Sequence, residues 1–243
     1  MKFISPKVDY AFKKIFGSDQ SQEILVSFLN GIIYEEKSTI KSLTIADPYH
    51  SDRPEDLKNT KVRASTVLND DSTLVIDLGV SLGKDARKEA IYSMTQTYLS
   101  QAPSEDYFWL LHPVTALRIS DVLLFDRAEE VVNSFAFAEA EKGFLDRKFP
   151  LEMFVVELPR FNKSLAELNT LQDKWIYFLK EASNLEEIPE VLAEVTEIER
   201  AFNLANEANM TAAELEELRG RSMMFYDESG RQIPGAIEAV VNC

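Results

Sequence analysis

The sequence predicts an α/β or α+β core with a helical C-terminal part, and three observations carry this. Strand-like and helix-like segments alternate over the first two-thirds of the chain. From residue 163 onward the apolar spacing is helical. The 243 residues are 45% hydrophobic, enough for one large domain, or one domain with an appended subdomain, without staples.

The elements follow in order. "VDYAFKKIFG" (8–17) reads as a short amphipathic helix closed by Gly17, and "SQEILVSFLNGIIY" (21–34) as a second helix. "SLTIADP" (42–48) reads as a strand, followed by a polar loop over 49–60. "KVRASTVL" (61–68), the turn "NDDS" (69–72) and "TLVIDLGVS" (73–81) predict a β-hairpin. A helix is expected over 85–101, with apolar or aromatic residues at 86, 90, 91, 94, 98 and 99. Strands follow over 113–120, 134–141 and 151–159, and Thr211 with Glu214 fits a capping box. A core over 1–162 and a helical subdomain over 163–243 are the expected division.

Composition narrows the chemistry. The only cysteine is Cys243, so neither an intrachain disulfide nor a cysteine zinc site is expected. His50 and His112 lie far apart and outside any metal-ligand motif. A metal here would be held by oxygen, which favours Mg²⁺ or Mn²⁺. The N-terminus lacks a signal-peptide pattern and no apolar run is long enough to span a bilayer, so a soluble cytoplasmic protein with no membrane partner is expected. The net charge of −15 is uneven: residues 1–110 carry 13 Lys/Arg and 16 Asp/Glu, and residues 111–243 carry 13 and 25. A nucleic-acid surface would therefore lie in the first half.

"SPKVDYAFKKIFG", "VVELPRFNKSL", "LQDKWIYFLKEA" and "AFNLANEANMTAAELEEL" together resemble the recombination-promoting nuclease family, the PD-(D/E)XK nuclease family transposases. The similarity runs from about residue 3 to the low 230s. It implies a restriction-endonuclease-like core, with a mixed sheet flanked by helices, and DNA as the partner. It also implies Mg²⁺ in an active member, or no cofactor in an inactive one, and it leaves a homo-oligomer open. In such enzymes a carboxylate on one strand and an acid-x-Lys/Gln pair on the next converge on a divalent ion, because residues i and i+2 of a strand share a face.

This chain departs from that pattern. Where the family has "L-D-V-R-A", it reads Thr60-Lys61-Val62-Arg63-Ala64, which places Lys61 at the acid. Where the family has "I-E-M-Q-V", it reads Ile76-Asp77-Leu78-Gly79-Val80, which keeps an acid at Asp77 and loses the amide at Gly79. Like charge at ~4 Å in an effective dielectric near 20 costs on the order of 4 kcal/mol per charge pair, doubled for a divalent ion. A metal site is therefore expected to be degenerate. Asp77 is the candidate catalytic and metal-ligating residue, with three readings: a residual metal ligand, an ion pair with Lys61, or a polar residue on the outer or cleft side of its strand. Asp70, Asp71, Asp85 and Glu89 are the alternative carboxylates nearby. The resemblance places Asp9 and Lys13 on a helix flanking the cleft, with Asp9 as a possible second acid. Lys13, Arg63, Lys84, Arg87 and Lys88 are the candidate DNA contacts, and Glu157 is expected to be structural.

Overall fold

The computed structural model describes residues 2–35, 37, 39–46, 60–81, 85–102, 105–145 and 149–216. They fall into two compact units, one mostly helical and one built on a sheet.

The sheet unit contains six strands: β1 (Ile40–Ile45), β2 (Lys61–Leu68), β3 (Thr73–Ser81), β4 (Val114–Ser120), β5 (Val132–Ala136) and β6 (Leu151–Glu157). Their spatial order is β1-β2-β3-β4-β6-β5. β1, β2 and β3 form an antiparallel meander, β3-β4-β6 are parallel, and β5 returns antiparallel along β6. The crossover from β3 to β4 carries helix α3 (Ala86–Leu99). The β2–β3 hairpin forms where the alternation predicts it. Asp70 accepts from the Ser72 backbone N–H at 3.0 Å, and Asp71 takes a positive φ of 63°.

One face of the sheet presents Val62, Ala64, Ile76, Leu78, Leu117, Ile119 and Val156, all buried. α3 lies against the other face through part of the stripe its apolar residues suggest. It buries Ala86, Ala90, Ser93, Met94 and Thr97, while Ile91 and Leu99 are more than half exposed. Ala86 packs with Leu124 and Val155 and Met94 with Val114 and Ala116, while Ser93 turns inward to the buried carboxylate of Asp77.

The helical unit takes in the described residues of Met1–Lys37 together with those from Asn162 onward. Its main helices are α1 (Asp9–Phe16), α2 (Gln22–Ile32), α4 (Leu171–Glu181), α5 (Glu190–Ala193) and α6 (Thr196–Ala205). The N-terminal helices, expected beside the strands, share this unit with the C-terminal ones, and aromatic packing is the reason. Trp175 is fully buried, with its ring 6.1 Å from Phe16, 5.5 Å from Phe28 and 5.7 Å from Phe178; Phe3 meets Phe202 at 5.0 Å. α2 approaches α4 at Gly31, where an added Cβ would stand 3.1 Å from Leu171 Cγ and 3.3 Å from Trp175 Cδ1. A side chain at this position would oblige Leu171 and Trp175 to give by a few tenths of an ångström.

Residues 163–170, expected as the start of a helix, make only a short 3-10 turn, Leu165–Glu167, closed by a Ser164/Glu167 capping box. The α-helix starts one turn later, where Thr170 caps the Asp173 N–H at 3.0 Å. Among the described residues no helix is long and apolar enough to cross a membrane.

The Thr211/Glu214 capping box is present, with Glu214 also 2.7 Å from Lys14 Nζ. The Lys14 hydrogen bond, followed by the Thr211 N–H, pulls the Glu214 carboxyl down to about 2. A depressed carboxyl pKa contributes stability that is present above the unfolded value and lost as pH falls through the folded one. Glu214→Gln is expected to cost about 1 kcal/mol at neutral pH. The difference from wild type should shrink in urea titrations carried down from pH 4.5 toward 2.

Candidate functional site

Asp77 lies in the middle of β3, and the register of the neighbouring strands determines what surrounds it. Across the antiparallel pair, Arg63 is opposite Asp77 and Lys61 is opposite Gly79. Across the parallel pair, Ala116 is beside Asp77 and Arg118 beside Gly79. Residues in register share a face, as do i and i+2, so Lys61, Arg63, Asp77, Gly79 and Arg118 all belong to the face that α3 covers. The three positions compared with the nuclease pattern, 61, 77 and 79, are thus brought together.

The Asp77 carboxylate is fully buried rather than on an outer face. Arg118, itself 2% exposed, donates from Nη2 to Asp77 Oδ2 at 2.5 Å and from Nη1 to the Asp77 carbonyl at 2.5 Å. Ser93 Oγ donates to the same Oδ2 at 2.8 Å from α3. Oδ1 has no hydrogen-bond partner among the described residues. Burial by itself raises the Asp77 pKa. The Arg118 charge, the Ser93 and Arg118 hydrogen bonds and the field of Lys61 outweigh it, so the group is held below the usual aspartate value. Lys61 acts on Asp77 through its field, and the guanidinium in contact with the carboxylate comes from Arg118.

Arg118 and Ser93 were not singled out from the sequence, although one signal was present. "TLVIDLGV" and "VTALRIS" each carry a single charged residue inside an apolar run, and the two charges are opposite. Two such strands placed side by side would bury two lone charges, and each is the other's remedy.

The remaining candidates are elsewhere. Asp70 and Asp71 are at the hairpin tip, roughly 20 Å along the strand from Asp77 at the usual rise, and Asp71 pairs with Lys41 at 2.5 Å. Asp85 and Lys88 form an exposed i, i+3 pair at 2.8 Å, and Glu89 is exposed. Arg87 sits over the Phe125 ring at 5.4 Å, and Lys84 lies outside the described residues. Asp9 and Lys13 belong to the helical unit and pair with each other at 3.0 Å, both buried. Glu157, buried at the end of β6, accepts from the Leu124 and Phe125 N–H groups and from Arg160 Nε at 2.8 Å, which makes it a staple for the 122–125 loop. Among the described residues no group of three or more His, Cys, Asp or Glu could hold a metal ion.

The antiparallel meander, the helical crossover to a parallel strand, and an acid on the third strand facing that crossover helix define an α/β protein of the restriction-endonuclease-like, PD-(D/E)XK type. The family model described as PD-(D/E)XK nuclease family transposase matches residues 6–231, and the chain belongs to that family. No curated protein and no solved structure matches the chain.

Proposed function

We propose that this chain is a member of its family in which metal-dependent DNA phosphodiester hydrolysis is impaired, and that it serves as a non-catalytic binding or regulatory subunit. The single observation that carries this reading is the Asp77–Arg118 pair. In an active member, a bound Mg²⁺ supplies the charge that polarises water and steadies the phosphate. A hard divalent ion needs carboxylate oxygens in its coordination sphere, and Mg²⁺ in particular wants regular octahedral geometry. Here the one carboxylate at the centre of the face gives Oδ2 to a guanidinium and a hydroxyl. Its register neighbours are Arg63 on β2 and Ala116 on β4, and the next residues on the same face, opposite Gly79, are Lys61 and Arg118. This set does not fit the metal: Arg118 already supplies the positive charge that a metal would supply.

DNA remains the family's partner class, and Lys61 and Arg63, both only partly buried, are the cations on this face that could meet phosphate. With a net charge of −15, such binding would be weak and would fall steeply with salt.

The test is cleavage of supercoiled plasmid with Mg²⁺ or Mn²⁺. The expected result is no nicking above the buffer control. Robust cleavage by the wild-type chain, abolished by Asp77→Asn in protein that still shows a folded circular dichroism spectrum, would overturn the reading.

A further inference from the structure

We propose that the outer edge of β5 is a docking site for an extended apolar peptide segment of another protein, flanked by lysine or arginine, which adds to the sheet as a seventh strand. The proposal does not depend on whether the Asp77 site cleaves DNA.

β5 is the terminal strand of the sheet, and no described element pairs with its outer edge. The Glu157 N–H donates to the Val131 carbonyl, so 131, 133 and 135 are the residues whose backbone groups face β6. In an antiparallel ladder the alternate residues, Val132, Ser134 and Ala136, then direct N–H and C=O outward. Natural sheets guard such an edge with lysine, proline or an inward charge. This edge has none of these: the eight residues from Val131 to Ala138 are uncharged and include no proline.

Beside that edge lies a mainly apolar cavity of about 270 Å³, lined by Ile91 and Met94 of α3 and by Phe135, Phe137 and Met153, with Glu152 the one charged residue on its wall. Exposed apolar side chains lie around it. Ile91 is 55% exposed, and Phe137 and Phe149, stacked with ring centroids 4.1 Å apart, are each nearly half exposed. An unguarded backbone edge beside an apolar cleft is what strand addition requires: the ladder supplies affinity, and alternate side chains entering the cleft supply selection.

Charge chooses the occupant. The uncharged run is bracketed by Glu129 and Glu130 before it and by Glu139 and Glu141 after it, with Arg127 and Lys142 the nearest cations beyond them. A second copy of this strand is disfavoured in the register centred on Ser134, where antiparallel self-pairing sets Glu129 opposite Glu139 at both ends. Like charges directly opposed across strands are destabilising. A segment with basic flanks places opposite charges there instead.

The experiment uses the full chain and a fluorescein-labelled peptide of alternating valine and threonine with two lysines at each end, read by anisotropy. A matched peptide carries glutamates at its ends. The lysine peptide is expected to bind at least about tenfold tighter than the glutamate peptide. Ser134→Pro removes an outward N–H at a position where an edge tolerates proline. Ile91→Glu places a charge at the cavity mouth. Each should weaken binding of the lysine peptide by about tenfold with an unchanged circular dichroism spectrum. The proposal is overturned by absence of lysine-peptide binding, by equal affinity for both peptides, or by affinity indifferent to both substitutions. Sedimentation showing a homodimer that Ser134→Pro dissolves would also overturn it, in favour of a second copy as the occupant.

Discussion

Replacing Asp77 by asparagine is expected to lower the unfolding free energy by about 3–5 kcal/mol, because it leaves the buried Arg118 guanidinium without its counter-charge. Urea denaturation at neutral pH measures the change. Its sign separates two roles for the same residue. An acid held in a metal cluster is ordinarily strained against its neighbours, and its removal leaves stability unchanged or raises it. An acid in a buried pair with Arg118 does the opposite. A double variant, Asp77→Leu with Arg118→Met, should recover much of the loss, since both charges and the unsatisfied Oδ1 disappear together.

The pH dependence follows from the same pair. Asp77 is held below its ordinary value by Arg118, Ser93 and Lys61 against the opposing effect of burial. Its stabilising contribution is therefore fully present above the unfolded aspartate pKa, about 4. It is lost as pH falls through the lower folded value. The gap between wild type and Asp77→Asn should be constant from pH 7 down to about 4 and close below it. A gap that instead closes toward alkaline pH would contradict the pairing.

Trp175→Ala carries an expected loss of comparable size, about 3–5 kcal/mol, this time in the helical unit. The indole is fully buried among Phe16, Phe28 and Phe178, and its Nε1 donates to Ser27 Oγ at 3.3 Å. Removing it opens a cavity where helices from both ends of the chain meet. Thermal denaturation followed by far-ultraviolet circular dichroism should show a clear drop in midpoint. A change below about 1 kcal/mol would mean that the helices close over the gap.

Much of this molecule was legible in its sequence. The period-2 alternation of 61–68 and 73–81 and the turn between them predicted β2 and β3 to the residue. Other elements moved by a few positions where punctuation was weak. The strand expected over 134–141 is Val132–Ala136, and the helix expected from 163 starts at Leu171. In that second case Ser164 and Glu167 satisfied each other locally and delayed the helix. The apolar stripe expected on α3 held at Ala86, Ala90 and Met94 but not at Ile91 and Leu99, for a different reason. Helical spacing shows which residues share a side of a helix, but it does not show whether the surface beneath is greasy or carries a buried carboxylate. Ser93 faces inward to hydrogen-bond Asp77, and Ile91 is left outside beside the β5 edge.

What the sequence by itself determined is the hairpin and its consequence, that Lys61, Asp77 and Gly79 share one face. A short turn and a two-residue repeat leave little freedom in register. What only the tertiary structure decided is which cation holds Asp77. Lys61, Arg63 and Arg118 all lie on the same face. Arg118 is 41 residues away and reaches Asp77 because α3 returns the chain to a strand parallel to β3. Being almost wholly buried where Lys61 and Arg63 are not, it offers the carboxylate a geometry that water does not compete for.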